Sequence, residues 1–297
     1  MREELKKRTG EVEAVVESYL PKEEGHQKTI FEAMNYSVKA GGKRLRPLFM
    51  QEICRLFTGE VQPVVVPFMA AIEMIHTSSL VHDDLPCMDD DMMRRGQAST
   101  WAEYGEDMGV LAGDALMIYA FEVAAKAFKE VSDADDLKRV GRAIEILASK
   151  TGIYGMIGGQ TVDVELAGGP IPKNKLDFIY RLKTGALIEA SMLIGAVLGG
   201  AAEEDCKIVE SLAGKVGLAF QIQDDILDVT GDQEVLGKEA GSDEKNQKTT
   251  YVTLEGLEKA KKDVEALSVQ AIEDLNKLPG NNEFLENLIR ILIKRQK

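Results

Sequence analysis

Asp83-Asp84-Leu85-Pro86-Cys87-Met88-Asp89 runs on into Asp90 and Asp91, and far along the same chain stands Asp224-Asp225-Ile226-Leu227-Asp228. Each cluster follows apolar sequence, Ile72 to Val81 before the first and Val216 to Ile222 before the second. Carboxylates enter such surroundings only when paired or bound to a metal. Taken singly, each cluster reads equally well as a solvated acidic turn. Taken as a pair facing each other across one cavity, they make a polyvalent Mg²⁺ site. Hard carboxylate oxygens suit that ion, and the oxygens of a diphosphate complete its octahedron.

The second cluster fits a helix. At about 100° per residue, Asp224 and Asp228 lie about 40° apart, with Asp225 inside an arc of about 100°. An EF-hand loop is excluded, because Ile226 occupies its third position and the required glycine is missing. The first cluster does not fit a straight helix, since Asp89 would lie about 240° from Asp83. Pro86 has no amide proton and clashes with the carbonyl of His82. The helix must therefore end or bulge at Asp84–Pro86, and Asp89 must fold back from a loop.

Basic residues accompany the acids. Arg94-Arg95-Gly96 follows the first cluster at once. These guanidiniums either pair with the aspartates or each take one anionic group, for which the planar fork is suited. Gly41-Gly42-Lys43-Arg44-Leu45-Arg46-Pro47 opens a helix after two glycines, where backbone amides, Lys43 and Arg46 favour an anion. His76 lies seven residues before Asp83, about 20° away on the helix, and is a candidate anion ligand. Lys183-Thr184-Gly185 and Gln221 add polar groups to apolar helices, and Gly158-Gly159-Gln160 with Asp163 are candidates for shaping the cavity.

The chain has 297 residues, 44% hydrophobic, enough for a large core. Its net charge is −14, which excludes a basic footprint for nucleic acid. The same field repels a diphosphate, so metal ions and clustered Lys and Arg must correct it locally. Cys54, Cys87 and Cys206 form no motif, and a reduced, cytoplasmic setting is expected. The N-terminal residues lack the apolar core of a signal peptide. Gly185 to Ala202 is apolar but contains Glu189 and is short for a span, so a buried helix and no stable membrane insertion are expected.

Apolar spacing is helical at Glu11–Tyr19, Lys28–Ala40, Leu45–Leu56, Val64–Asp84, Gly109–Phe128, Asp135–Lys150, Lys173–Leu182, Gly185–Leu198, Cys206–Asp228 and Leu254–Asn276. Nothing marks a second domain. The expectation is all-α: one domain over residues 1–297, a single large helical bundle around a central cavity. Gly231 to Thr250 is polar, carries Lys238, and reads as a candidate lid.

Together these residues resemble the trans-isoprenyl diphosphate synthases, the family of farnesyl and geranylgeranyl diphosphate synthases, from Gly41-Gly42-Lys43-Arg44 to Arg295-Gln296-Lys297. The resemblance implies a Mg²⁺-dependent prenyltransferase using three ions. Asp83, Asp84 and Asp89 would hold Mg²⁺ on one side of an allylic diphosphate, and Asp224, Asp225 and Asp228 on the other. Arg94, Lys183 and Lys238 would touch that diphosphate. Gly42, Lys43, Arg46, His76 and Arg95 would bind isopentenyl diphosphate. Thr184 and Gln221 would line the reacting carbons, and the departing pyrophosphate would take the last proton. Family members are commonly homodimers.

Two further points follow from the resemblance. Product length, 15 or 20 carbons, stays open. Ser79 and Ser78 lie four and five residues before Asp83, about 6–7.5 Å down the helix. Ser78 is small, as in the geranylgeranyl type, but Met117, Tyr119 or Phe121 are alternative floors. The chain also departs from its relatives after Arg95, with Ala98 and Trp101 where Pro and His are usual. A class I terpene cyclase shares the fold and the first motif but lacks the Gly-Gly-Lys-Arg site. A non-catalytic partner subunit would have lost one of the aspartate motifs.

Overall fold

The structure is a computed structural model that describes residues 1–230 and 249–293. Its helices are α1 (Arg2–Ser18), α2 (Lys28–Lys39), α3 (Leu45–Thr58), α4 (Val66–Asp83), α5 (Thr100–Tyr104), α6 (Glu106–Ala125) and α7 (Ala134–Thr151). There follow α8 (Met156–Glu165), α9 (Lys173–Ile179), α10 (Ala186–Leu198), α11 (Glu203–Thr230), α12 (Tyr251–Glu255), α13 (Leu257–Leu275) and α14 (Glu283–Ile293). The fold is all-α. Among the described residues the only strands are a two-residue hairpin pair, β1 (Met93–Arg94) and β2 (Gln97–Ala98). The described residues group into two compact units, Met1–Glu145 with Val197–Gly200, and Ile146–Ala196 with Ala201–Lys297.

In the first unit α4 is the core element. It buries Phe68, Met69, Ile72, Met74 and Ile75 and packs on α1, α2, α3 and α6. A helix apolar on all sides belongs inside. Glu73 is the exception on it, 1% exposed. Its partner is Arg44, 2% exposed, in the left-handed region at φ 47° between the glycine pair and α3. The Arg44 guanidinium donates to Glu73 at 2.8 Å, to both carboxylate oxygens of Glu13 on α1 at 2.5 and 2.7 Å, and to the Val38 carbonyl on α2 at 2.5 Å. Burial alone would lower its pKa; the two glutamates more than offset this and raise it. One buried cation thus ties the start of α3 to three other helices.

Pro86 acts as expected. Helix α4 stops at Asp83, and the chain turns back on the helix end. The Asp89 amide bonds the Asp83 carbonyl at 2.9 Å, and the Asp91 amide bonds the Asp84 carbonyl at 3.1 Å.

In the second unit α11 packs on α13. Before α10 the helix widens into a π-turn, Tyr180–Gly185, which carries Lys183 and Thr184. It lies against α8 and α11 at glycines: a side chain at Gly159 would overlap the Lys183 amide, and one at Gly217 would sit 3.0 Å from the Gly185 Cα. Helix α8 was not legible in the sequence, because Gly158-Gly159 lowers helix propensity. Helix α10 is buried along almost its whole length, as the reading of Gly185 to Ala202 required. By length and composition alone, Pro63–Asp83 and Glu106–Lys129 would also suffice to cross a membrane; the first is 78% buried and the second 39%.

Replacing Arg44 by Met would leave the Glu73 charge buried without its counter-ion. Stability should fall by about 3–5 kcal/mol in denaturant unfolding, the usual cost of breaking a buried pair. Lys43→Met, on an exposed neighbour, should change it little.

Candidate active site

The first unit brings a cationic cluster beside the first aspartate motif. Gly42 has φ 141°, and a Cβ there would lie 2.9 Å from the Arg95 guanidinium carbon. Only glycine lets Arg95 lie flat on this backbone, where it donates to the Gly41 carbonyl. Desolvation lowers the Arg95 pKa, with Arg44 and Arg94 adding to the shift. Desolvation also brings Arg46 down to about 10, Glu73 opposing and Arg95 assisting. The Arg46 Nε is buried with no hydrogen-bond partner among the described residues. His76 is held well below the usual imidazole range by desolvation and by Arg46, Arg95, Arg44 and Arg94. It is therefore neutral near pH 7 and offers one N–H rather than a charge. Desolvated cations gathered around a neutral imidazole, with the buried Arg46 Nε unpaired among the described residues, make this cluster the candidate site for an anion.

Arg94 is used differently. It bonds the Asp84 carboxylate through Nε at 2.9 and 3.1 Å, and through its terminal nitrogen, and it reaches Asp91 at 3.2 Å. Of the two open readings for Arg94-Arg95, ion pairing therefore describes Arg94, whereas Arg95 bonds a carbonyl. Asp84 is 2% exposed; burial pushes its carboxyl up, and Arg94 partly offsets this. Asp83 is half-buried and Asp89 exposed.

In the second unit Lys183 pairs with Asp163 at 2.7 Å. On α11 the three aspartates have different surroundings. Asp224 is exposed and Asp228 half-buried, but Asp225 is 7% exposed. Its Oδ2 accepts from the Tyr180 hydroxyl at 2.6 Å and from the Tyr251 amide at 2.7 Å. Asp225 thus links the π-turn, α11 and the first turn of α12. Thr184 and Gln221 are half-buried, Gln221 one turn before Asp225. Lys238 and residues 231–248 of the candidate lid Gly231 to Thr250 lie outside the described residues.

The donor set suits Mg²⁺. Every candidate ligand is a hard oxygen, and among the described residues no three acidic, His or Cys side chains form a closed cage. Mg²⁺ is ordinarily held by one or two carboxylates with waters and substrate phosphates rather than by an all-protein cage.

Sequence reasoning missed Arg44, Tyr180 and Tyr251 as supports. Glu73 alone on an apolar helix signalled the first, since a buried acid needs a partner. Nothing signalled the tyrosines, whose contacts with Asp225 span 45 and 26 residues.

Residues 27–287 match the family model described as polyprenyl synthetase. The chain is 45% identical over 247 residues to a chloroplastic geranylgeranyl pyrophosphate synthase of Catharanthus roseus, covering 83% of this chain and 68% of that one. It is 42% identical to a farnesyl diphosphate synthase of Geobacillus stearothermophilus, covering 84% and 82%. Among solved structures, an apo FPP/GFPP synthase from Zymomonas mobilis superposes with a TM-score of 0.86 at 33% identity, covering 99% and 100%. A geranyltransferase from Helicobacter pylori, solved with magnesium and isoprenyl diphosphate, gives 0.82 at 32%, covering 97% and 95%. The fold, the paired aspartate motifs and the match across most of the sequence agree: this chain belongs to the polyprenyl synthetase family of prenyl-transferring enzymes.

Proposed function

We propose that the chain is a short-chain trans-prenyltransferase that condenses isopentenyl diphosphate with allylic diphosphates such as dimethylallyl and geranyl diphosphate. The observation that carries this reading is the cluster of Arg46, His76 and Arg95 beside the Asp83–Asp91 loop, with the Arg46 Nε buried and unpaired among the described residues and each group made less basic by desolvation and by neighbouring arginines. On a chain of net charge −14, such a focus of positive potential serves an anion.

Arg46, Arg95, Lys43 and the Gly42 backbone hold the diphosphate of isopentenyl diphosphate, and neutral His76 donates to it. Asp83, Asp84 and Asp89, and Asp224, Asp225 and Asp228, would hold three Mg²⁺ ions, which when bound would supply charge neutralisation to the allylic diphosphate as leaving group. Lys183, oriented by Asp163, and Arg94 share that task, and Lys238 joins them. Thr184 and Gln221 turn oxygens toward the allylic cation. The proton released from the new chain passes to the departing pyrophosphate. Electrostatic stabilisation of leaving group and cation is the main contribution asked of the protein.

Incubation with dimethylallyl diphosphate, labelled isopentenyl diphosphate and Mg²⁺ should yield an elongated product. Asp83→Ala and Asp224→Ala should each lower turnover by about 100-fold or more, with unchanged circular dichroism, the scale of losing one fixed electrostatic group. Near-normal activity in either variant would remove the metal assignment.

Ser78 is fully buried and bonds only its own helix, at the Ile75 carbonyl. The Tyr119 hydroxyl is committed to the Tyr19 carbonyl at 3.0 Å, and Lys126 lies over both rings. With Tyr119 so occupied and Ser78 small, we favour the 20-carbon product. Chromatography of products from Ser78→Phe should show a shift toward 15 carbons or fewer; an unchanged profile would place the floor elsewhere.

A homodimer and a cytoplasmic setting belong to the same proposal. The three cysteines are free thiols, which fits a reducing compartment. Helix α6, packed on α4, turns Val110, Leu111 and Ile118 outward, Ile118 at 72% exposure. An apolar stripe at this spacing is a surface for another copy. Sedimentation velocity should show a dimer that Ile118→Asp shifts toward monomer.

A further inference from the structure

Trp101 departs from the family's usual residue, and the proposed function gives it no task. It is also the single tryptophan of the chain. Its indole Nε1–H donates to the backbone carbonyl of Asp91 at 3.0 Å. Asp91 ends the loop that returns Asp89 and Asp90 to the tip of α4. On the near side that loop is held by backbone bonds, Asp89 to Asp83, Asp90 to Leu85 and Asp91 to Asp84, at 2.9 to 3.1 Å. On the far side it is held by the Trp101 indole, by the Arg94 contact with the Asp91 carboxylate, and by the Ser99 amide on the Met92 carbonyl at 2.9 Å.

The indole itself stands on a rigid base. Helix α5 meets α6 at Gly109, where any Cβ would lie 2.9 Å from the Trp101 Cβ and 3.0 Å from a Leu85 methyl. Next to it, the Thr100 hydroxyl bonds Ser37 at 2.7 Å, and the Tyr36 hydroxyl bonds the Ala98 carbonyl at 2.8 Å. The loop carries three exposed aspartates in sequence, Asp89, Asp90 and Asp91, with Asp90 at φ 55°. Like charges push such a loop open. An external donor at its end opposes that push and narrows the range of positions open to Asp89 before any cation arrives. Ligands ordered in advance bind at lower entropic cost.

We propose that Trp101 is a positioning residue for the first aspartate motif: its indole N–H fixes the Asp89–Asp91 loop and thereby sets the affinity of that motif for Mg²⁺ with diphosphate. The inference rests on the Mg²⁺-diphosphate reading given above.

The test is calorimetric titration of the full chain with magnesium chloride and inorganic pyrophosphate, for wild type, Trp101→Phe and Trp101→His. Phe keeps an aromatic ring and loses the donor; His keeps a ring N–H. Trp101→Phe should bind about three- to tenfold more weakly, the range expected for one net hydrogen bond. Trp101→His should recover most of that loss. In assays the Mg²⁺ concentration for half-maximal rate should rise in Trp101→Phe, while kcat at saturating Mg²⁺ stays near wild type. Equal binding by wild type and Trp101→Phe overturns the inference, as does a Trp101→His variant no better than Phe. Should both variants misfold, the wild type decides. Its emission comes from Trp101 alone and must change as magnesium pyrophosphate is added; constant emission with measurable heat overturns the inference. Absence of binding heat in the wild type removes instead the Mg²⁺-diphosphate reading on which it rests.

Discussion

The buried guanidinium of Arg44 is the constraint on which the first unit depends. Its four hydrogen bonds go to Glu13, Glu73 and the Val38 carbonyl, so α1, α2 and α4 are fixed relative to the start of α3. Arginine suits this position because its fork bonds several acceptors at once without losing its charge. Of its neighbours in the same motif, Lys43 is exposed, whereas Arg46 is half-buried with its Nε enclosed. A single heptapeptide thus supplies both the structural cation and two candidate binding cations.

Function is drawn from charges held under mutual repulsion. Arg46, His76 and Arg95 are each less basic than in water, because they are desolvated beside other arginines. That arrangement costs stability in the free protein, and on the proposed reading a bound diphosphate would return it. The aspartate loop a few residues away has the opposite sign and the same logic, relieved by a cation. The two clusters do not collapse onto each other completely: Arg94 bonds Asp84 and Asp91, whereas Arg95 is held on the Gly41 carbonyl by the bare backbone of Gly42.

In the second unit the π-turn does comparable work. One extra residue in the turn lets Lys183 reach Asp163 while Tyr180 reaches Asp225. Such turns are rare and recur at functional sites. The glycines at 159 and 217 are explained by the backbone that lies against them rather than by flexibility. Asp225 is chemically identical to Asp224 one residue away. It is nonetheless enclosed, and its Oδ2 accepts from two protein donors that connect three elements.

Much was legible from local pattern alone. Helical spacing located α2, α3, α4, α6, α7, α10 and α11 closely, because apolar periodicity is a property of neighbouring residues. Pro86 dictated the end of α4, since the missing amide proton and the clash with the His82 carbonyl act within one turn. The short α5, the glycine-bearing α8 and the two-residue hairpin were not legible, since tertiary packing rather than propensity sustains them; α14 was overlooked although Phe284, Leu285, Leu288, Ile289 and Leu292 recur at helical spacing and are buried. The candidate ligands could be named because carboxylates and guanidiniums in apolar sequence need partners. Which partner each one takes was decided only by the tertiary structure. Arg94 on Asp84, Arg44 on Glu73, Tyr180 and Tyr251 on Asp225, and Trp101 on the Asp91 carbonyl join residues whose distance along the chain carries no signal. By itself the sequence determined an all-helical fold and named the charged residues that are candidates for diphosphate and metal; the tertiary structure decided which of those like-charged residues are enclosed in ion pairs and which stand nearer the surface, because burial and hydrogen-bond partners are set by packing across the fold.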